Sequence, residues 1–224
     1  MTDNLFARNI GALNAKQQHE LEQKRVFIAG CGGLGGYCAE LLARAGIGSF
    51  TVCDSDCFEP TNTNRQLLCT SKTIGEPKVY ACADRIKSIN PAAYVNTVNA
   101  KLSNDNIDEL IQGHDIVIDA LDSPQGKLML SRGCERCSLT LVSAGVSGWC
   151  AQVCVSEPGD CLLELLYDDA PQSGNSVLSF TASAAASWQC SFAIKTLLGL
   201  QKPERRVLML DFLNDTAEYI KLKS

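Results

Sequence analysis

Residues 30–35 read Gly-Cys-Gly-Gly-Leu-Gly and follow a short apolar run, Arg25-Val-Phe-Ile-Ala29. Glycines in such a turn let the backbone approach a phosphate group. The helix that follows offers unpaired N–H groups and the positive end of its dipole, and Gly33 is the candidate contact. Asp54 ends the next apolar run, where a carboxylate can accept hydrogen bonds from ribose hydroxyls. Behind it, Glu59-Pro-Thr-Asn62-Thr63-Asn64-Arg65-Gln66 gathers amides and a guanidinium, and Ile74-Gly-Glu-Pro-Lys78 places a lysine at a helix start. Arg65 can grip phosphate oxygens in a fork, and Lys78 can act as a point charge. Two cations beside a phosphate-cradling turn suit a polyphosphate better than a nicotinamide. Asp122, just past the apolar stretch 115–121, could hold the Mg²⁺ of Mg·ATP. Asp119, inside that stretch, reads as structural.

These residues need a frame, and the apolar periodicity supplies one. Residues 12–24 form a polar helix and 25–29 a strand; 36–45 carry helical spacing stopped by Gly46 and Gly48, and 49–53 form a second strand. Together they make a βαβ unit with a glycine-rich first turn. A loop at 55–75 precedes a helix at 76–89 (apolar face Val79, Cys82, Ala83, Ile86), a strand at 94–98 and a short helix at 103–112. The stretch 115–121 is almost wholly apolar, as a parallel strand buried on both faces should be. A further helix leads to a strand at 139–143; 149–156 alternates like an antiparallel strand, and 167–177 is a loop. A small-residue helix at 181–198 and strands at 207–212 and 217–222 close the chain. The predicted fold is α/β: a Rossmann-like, doubly wound, mostly parallel sheet with a C-terminal mixed, partly antiparallel extension. At 224 residues it forms one domain, divided into an N-terminal helical arm (1–24), a nucleotide-binding part (25–145) and the extension (146–224).

Composition narrows the function classes. With 46% hydrophobic and 20% charged residues, the chain has the make-up of an ordinary soluble protein. It lacks a membrane-length apolar run and a signal-peptide layout, so a cytoplasmic location is expected. A net charge of −5 argues against a general nucleic-acid or membrane-surface binder. The twelve cysteines are scattered through apolar runs (Cys38, Cys53, Cys82, Cys154, Cys190), as reduced core thiols would be. Cys134 and Cys137 form a lone CxxC, with neither His19 nor His114 at zinc-finger spacing, so no zinc is expected there.

An ordered series of motifs then points to a family. It comprises the GxGGLG turn, Asp54, NTNRQ at 62–66, the IGxxK ending at Lys78, Ile89-Asn-Pro91 and Ala120-Leu-Asp122. It continues with Ser143-Ala-Gly-Val-Ser-Gly148 and Gln152-Val153, AIKTLLG at 193–199, and a strand pair opening on VLMLDF. Over nearly its whole length the chain resembles the ThiF/MoeB/HesA family, relatives of the adenylation domains of ubiquitin-activating enzymes. The resemblance implies ATP with its ribose on Asp54 and its phosphates near Gly33, Asn62, Arg65 and Lys78. Thr63, Asn64, Gln66 and Ser123 would line the same site, with Mg²⁺ at Asp122. It implies that Arg65, Lys78 and Asp122 catalyse joining of AMP to the C-terminal Gly-Gly carboxylate of a ubiquitin-like sulfur carrier protein, of thiamine or molybdopterin type. It also implies a homodimer in which Arg8 reaches the partner's ATP.

The chain also departs from that pattern. Where many relatives carry the first of two zinc-binding CxxC pairs, it reads Cys161-Leu-Leu-Glu164, and the loop 167–177 contains no cysteine for thioester or persulfide chemistry. The expectation is a zinc-less enzyme that stops at the acyl-adenylate. Ser123 stands where carrier-activating members usually have asparagine, and TNTNRQ with ALDS is close to the branch that dehydrates a carboxyl-bearing modified adenosine in tRNA. That branch is the second reading; the acidic charge balance and the GVSGxxxQV strand weigh against it. An NAD-dependent oxidoreductase is the third, and it leaves NTNRQ, Lys78 and Asp122 without roles. A non-catalytic nucleotide-binding scaffold is the remaining alternative.

Overall fold

The computed structural model describes residues 5–168 and 176–222. Five parallel strands make the first part of one sheet: β1 (Arg25–Ala29), β2 (Ser49–Cys53), β3 (Tyr94–Val98), β4 (Ile116–Asp119) and β5 (Leu141–Ser147). Three antiparallel strands extend it: β6 (Cys150–Ser156), β7 (Arg206–Asp211) and β8 (Thr216–Lys221). Their order is β3-β2-β1-β4-β5-β6-β7-β8. The chain winds outward from β1 to β3, then restarts on the other side of β1 with β4. That reversal opens a crevice beyond the carboxyl ends of β1 and β4, the place where open α/β sheets bind ligands.

Strand pleating sends alternate side chains to opposite faces, and both faces are buried. Val26, Ile28, Phe50, Val52, Ile116 and Ile118 pack under α2 (Gly35–Ala45), α3 (Lys78–Ile89) and α7 (Ser179–Leu197), with Leu21 of α1 (Ala15–Gln23) at the margin. Phe27, Ala29, Cys53 and Val117 face α4 (Ile107–Ile111), α5 (Pro124–Arg136) and α6 (Leu162–Tyr167). Apolar residues on both sides of the central strands explain why 115–121 shows no alternation. Eight of the twelve cysteines are buried and all twelve are free thiols, as core cysteines should be. Among the described residues, no helix is long and apolar enough to cross a membrane.

Several boundaries differ from the periodicity reading, each for a local reason. The helix expected from 76 starts at Lys78, because Pro77 is held extended (ψ 130°) by a bridge to Cys57 and the Lys78 amide donates to the Asp56 carbonyl. The helix expected over 103–112 is only α4, since the Asn106 side chain accepts from the Ser103 N–H and folds the preceding residues into a turn. Strand β5 runs on to Ser147 because it pairs along its whole length with β6. Helix α6 stands where the sequence showed no periodicity. Of the loop expected at 167–177, residues 169–175 lie outside the described residues.

Candidate active site

The glycine turn is welded between two strands and a helix. Gly30 has φ +94°, and a Cβ there would lie 2.7 Å from the Ala120 carbonyl oxygen past β4. A Cβ on Gly35, the first residue of α2, would lie 1.8 Å from the Gly30 carbonyl oxygen. Only glycine permits this approach, and the approach fixes the N-terminus of α2 beside the crevice. Asp54, past β2, locks the turn from the other side. Its Oδ2 accepts the Cys31 N–H at 2.7 Å and its Oδ1 accepts the Asp56 N–H at 2.8 Å. The acid shapes the turn, and each oxygen keeps a lone pair that could accept a ribose hydroxyl.

The loop after Asp54 folds back over the turn. Asn62 is buried in a 3-10 turn; its Oδ1 accepts the Glu59 N–H at 3.0 Å, and its carbonyl accepts from Arg65 and Gln66. Asn62 therefore shapes the loop. Thr63 is exposed, with its hydroxyl 3.5 Å from the Cys69 sulfur. Arg65 is steered by one nitrogen alone: Nη1 donates to Thr61 O at 3.0 Å and to Asn64 Oδ1 at 2.9 Å. Asn64 in turn donates to the Val177 carbonyl at 3.0 Å, tying the loop to the chain before α7. The nearest atoms to a Cβ on Gly33 belong to Arg65, at 3.8 Å. Gln66 is buried against Gly32, and its Oε1 has no hydrogen-bond partner among the described residues. Lys78 is also buried, and its Nζ lies 3.0 Å from the largely exposed Asp56 carboxylate.

Asp122 is exposed just beyond β4. Ser123 caps α5, accepting the Gly126 N–H at 3.2 Å, so its hydroxyl has a structural partner. Beneath them lies a group that sequence reasoning took only in part. Asp119 is fully buried and satisfied by Lys127 Nζ at 2.9 Å, the Ser143 hydroxyl at 2.5 Å and the Leu121 N–H at 3.0 Å. Lys127 also donates to the Ala144 carbonyl at 2.6 Å. Burial pushes the Lys127 ammonium's pKa down, but the Asp119 carboxylate together with Tyr167 and Cys154 brings the net shift upward. This ion pair clamps the end of β4 and the middle of β5 to α5. Asp119 was read correctly as structural, whereas Lys127 and Ser143 were missed; the only signal was a polar residue at each otherwise apolar position.

The fold thus brings Gly33, Asp54, Asn62, Thr63, Asn64, Arg65, Gln66, Lys78, Asp122 and Ser123 to the carboxyl edge of the parallel strands. Arg8 is not among them. It is exposed in a 3-10 turn whose neighbour Asn9 bonds to Gln18 and to Ala45 at the far end of α2. The residues present fit a nucleotide: a backbone cradle that a Cβ would fill, an orphaned carboxamide oxygen, a strand-end acid and two cations. Among the described residues, no three His, Cys, Asp or Glu side chains converge as a metal-ligand set. Mg²⁺ needs only one or two carboxylates when phosphates complete its shell, so Asp122 fits it. A cavity of about 340 Å³ lined by Arg132, Glu135, Leu141 and Cys161 shares no residue with this site.

Comparison with known proteins gives a consistent result. The model described as the ThiF family matches residues 6–224. The chain is 32% identical over 216 residues to the molybdopterin-synthase adenylyltransferase of Escherichia coli (strain K12), covering 92% of this chain and 85% of that protein. It is 40% identical over 129 residues to the tRNA threonylcarbamoyladenosine dehydratase of Haemophilus influenzae, covering 57% of this chain and 49% of that one. The solved structure of E. coli MccB with ATP matches with a TM-score of 0.85 at 20% identity, over 98% of this chain and 71% of that one. That likeness speaks for the fold.

Proposed function

Since the chain belongs to the ThiF family and is an adenylyltransferase, we propose that it uses ATP to activate the C-terminal Gly-Gly carboxylate of a ubiquitin-like sulfur carrier protein. The observation that carries this reading is the convergence of the glycine turn, Asp54, Arg65 and Lys78 on one sheet edge, with Asp122 across the crevice. In the reaction an acceptor carboxylate oxygen attacks the α-phosphorus, the bond to the bridging oxygen breaks, and its electron pair leaves on pyrophosphate. No covalent catalyst on the protein is needed.

The chain's own residues supply placement and charge. Asp54 takes the ribose, and the N–H groups at the start of α2 face the phosphates. Arg65 keeps Nε and Nη2 for phosphate oxygens, because its turn contacts use Nη1 alone. Lys78 reaches the α-phosphate by exchanging Asp56, whose carboxylate faces solvent, for the substrate. Asp122 would hold Mg²⁺, which when bound would supply charge neutralisation for the leaving pyrophosphate. The working unit in this reading is a homodimer, with the partner's Arg8 completing the phosphate site.

The higher identity, over 129 residues, to a tRNA dehydratase favours one alternative, in which the same ATP chemistry activates a carboxyl-bearing modified adenosine. ATP–pyrophosphate exchange separates the two. Exchange that requires a Gly-Gly-ended carrier protein supports the carrier reading. Exchange that requires tRNA, and ignores carriers, overturns it.

A further inference from the structure

At the opposite end of the sheet, positive charge is concentrated on a protein whose net charge is −5. Strand β7 starts at Arg206 beside the end of β6, which pairs with the start of β5, so this edge lies away from the nucleotide crevice. Arg206 stands directly across from Lys221 of β8. Partners in register share a face, and like charges there repel. Lys195 and Lys202 line the same notch, together with Phe192, Tyr219 and a single carboxylate, Glu204. The aromatic rings hold two of the cations in place. Arg206 lies 3.9 Å over the Tyr219 ring centroid and Lys195 lies 4.6 Å over that of Phe192. Such contacts stabilise the charge but leave its N–H donors unspent.

Carboxylates do not balance this charge. Among the described residues Lys195, Lys202 and Lys221 form no ion pair, and Arg206 pairs only with Glu204 at 3.4 Å. Burial, and then the charge of Arg206, push the Lys195 ammonium below its usual pKa. The notch holds about 30 Å³, room for one small oxyanion and too little for a nucleoside.

We propose that this notch binds a small phosphate-class oxyanion, inorganic phosphate or pyrophosphate, bridged by Lys195, Lys202 and Arg206, with Lys221 adding its charge from beside Arg206 on the same sheet face. The site is separate from the nucleotide crevice and independent of which acceptor the enzyme activates. The anion would tie the end of α7 to β7 and β8 and relieve the Arg206–Lys221 repulsion.

The test is calorimetric titration and thermal unfolding with inorganic phosphate and with pyrophosphate, in a Lys78→Ala background that weakens anion binding at the nucleotide site. Saturable binding and a rise in Tm are expected, with no equal rise from potassium chloride at matched ionic strength. A larger response to pyrophosphate identifies it as the preferred occupant. Lys202→Gln and Arg206→Gln should each weaken binding by about tenfold. Lys221→Gln should weaken it too, yet without phosphate should raise Tm by about one degree through lost repulsion. Unchanged phosphate affinity in all three variants, or a chloride response equal to that of phosphate, would overturn the proposal.

Discussion

Lys78 shows how a residue can be buried and still available: its stem is enclosed at the start of α3 while its ammonium rests on a carboxylate that faces solvent. In the proposed reaction, removing it would take away charge stabilisation at the α-phosphate without opening the core. Lys78→Ala should therefore lower ATP–pyrophosphate exchange by about 10²–10³-fold, the usual cost of one preorganised donor, while the circular dichroism spectrum stays native. Asp122→Ala at an exposed position should cost as much exchange and shift stability by no more than about 0.5 kcal/mol. Wild-type exchange in either variant would remove that residue from the site. His114 belongs to stability instead. Its ring sits between the Ile111 carbonyl at 2.9 Å and the Thr51 hydroxyl at 2.8 Å, and burial holds its pKa below the usual value. The unfolded chain takes up that proton near pH 6.5, before the folded protein does, so the contribution is full above about pH 6.5 and is lost as pH falls through the lowered folded value. Tm measured from pH 7.5 down to 5 should fall less steeply in His114→Asn than in the wild type. Parallel slopes would show that the ring carries no such linkage.

At the scale of elements, the turn and α2 act as one part, and two glycines in it have different duties. A methyl on Gly35 must push α2 off the Gly30 carbonyl, whereas a methyl on Gly33 meets nothing closer than 3.8 Å. Gly35→Ala should cost about 1–3 kcal/mol, lowering Tm by several degrees, and weaken ATP binding through the displaced helix. Gly33→Ala should keep its Tm and still lose ATP affinity, because the methyl occupies phosphate space. If both variants melt alike, Gly33 is a packing glycine and the cradle assignment falls. This unit was legible in the sequence because glycine, strand-end acid and helical spacing are local signals. The start of α3 was not, since Pro77 is set by a bridge to Cys57 twenty residues earlier in the chain. Nor was α6, whose Leu162, Leu163 and Tyr167 pack against a neighbouring helix and strand in a segment too short to show a period. The candidate residues themselves were read from type and position, but their partners were not. That Asn62 shapes its loop, that Ser123 caps α5 and that Lys127 clamps Asp119 depend on tertiary contacts.

For the whole molecule, the open question is what one chain leaves undone. Arg8 lies in an arm bonded to the far end of α2, while the nucleotide crevice opens at the other end of that helix. Within a single protomer this arginine does not meet Asp54 or Lys78. If it acts, it acts on a second copy, and symmetric pairing would then place each arm at the other's crevice. Mixing two inactive variants tests this directly. In a heterodimer of Arg8→Ala and Lys78→Ala, the first protomer's crevice has its own Lys78 and receives an intact Arg8, whereas the second has neither. After free exchange of equal amounts about half the dimers are mixed and half their sites are whole, so activity should recover to about one quarter of wild type. An arginine acting on its own crevice predicts no recovery, because every site then lacks one of the two residues. Full activity of Arg8→Ala alone would remove the arginine from the reaction. Recovery near one quarter would show that the adenylating site is built by two chains, with the glycine turn and both lysine-loop cations from one and the arm from the other.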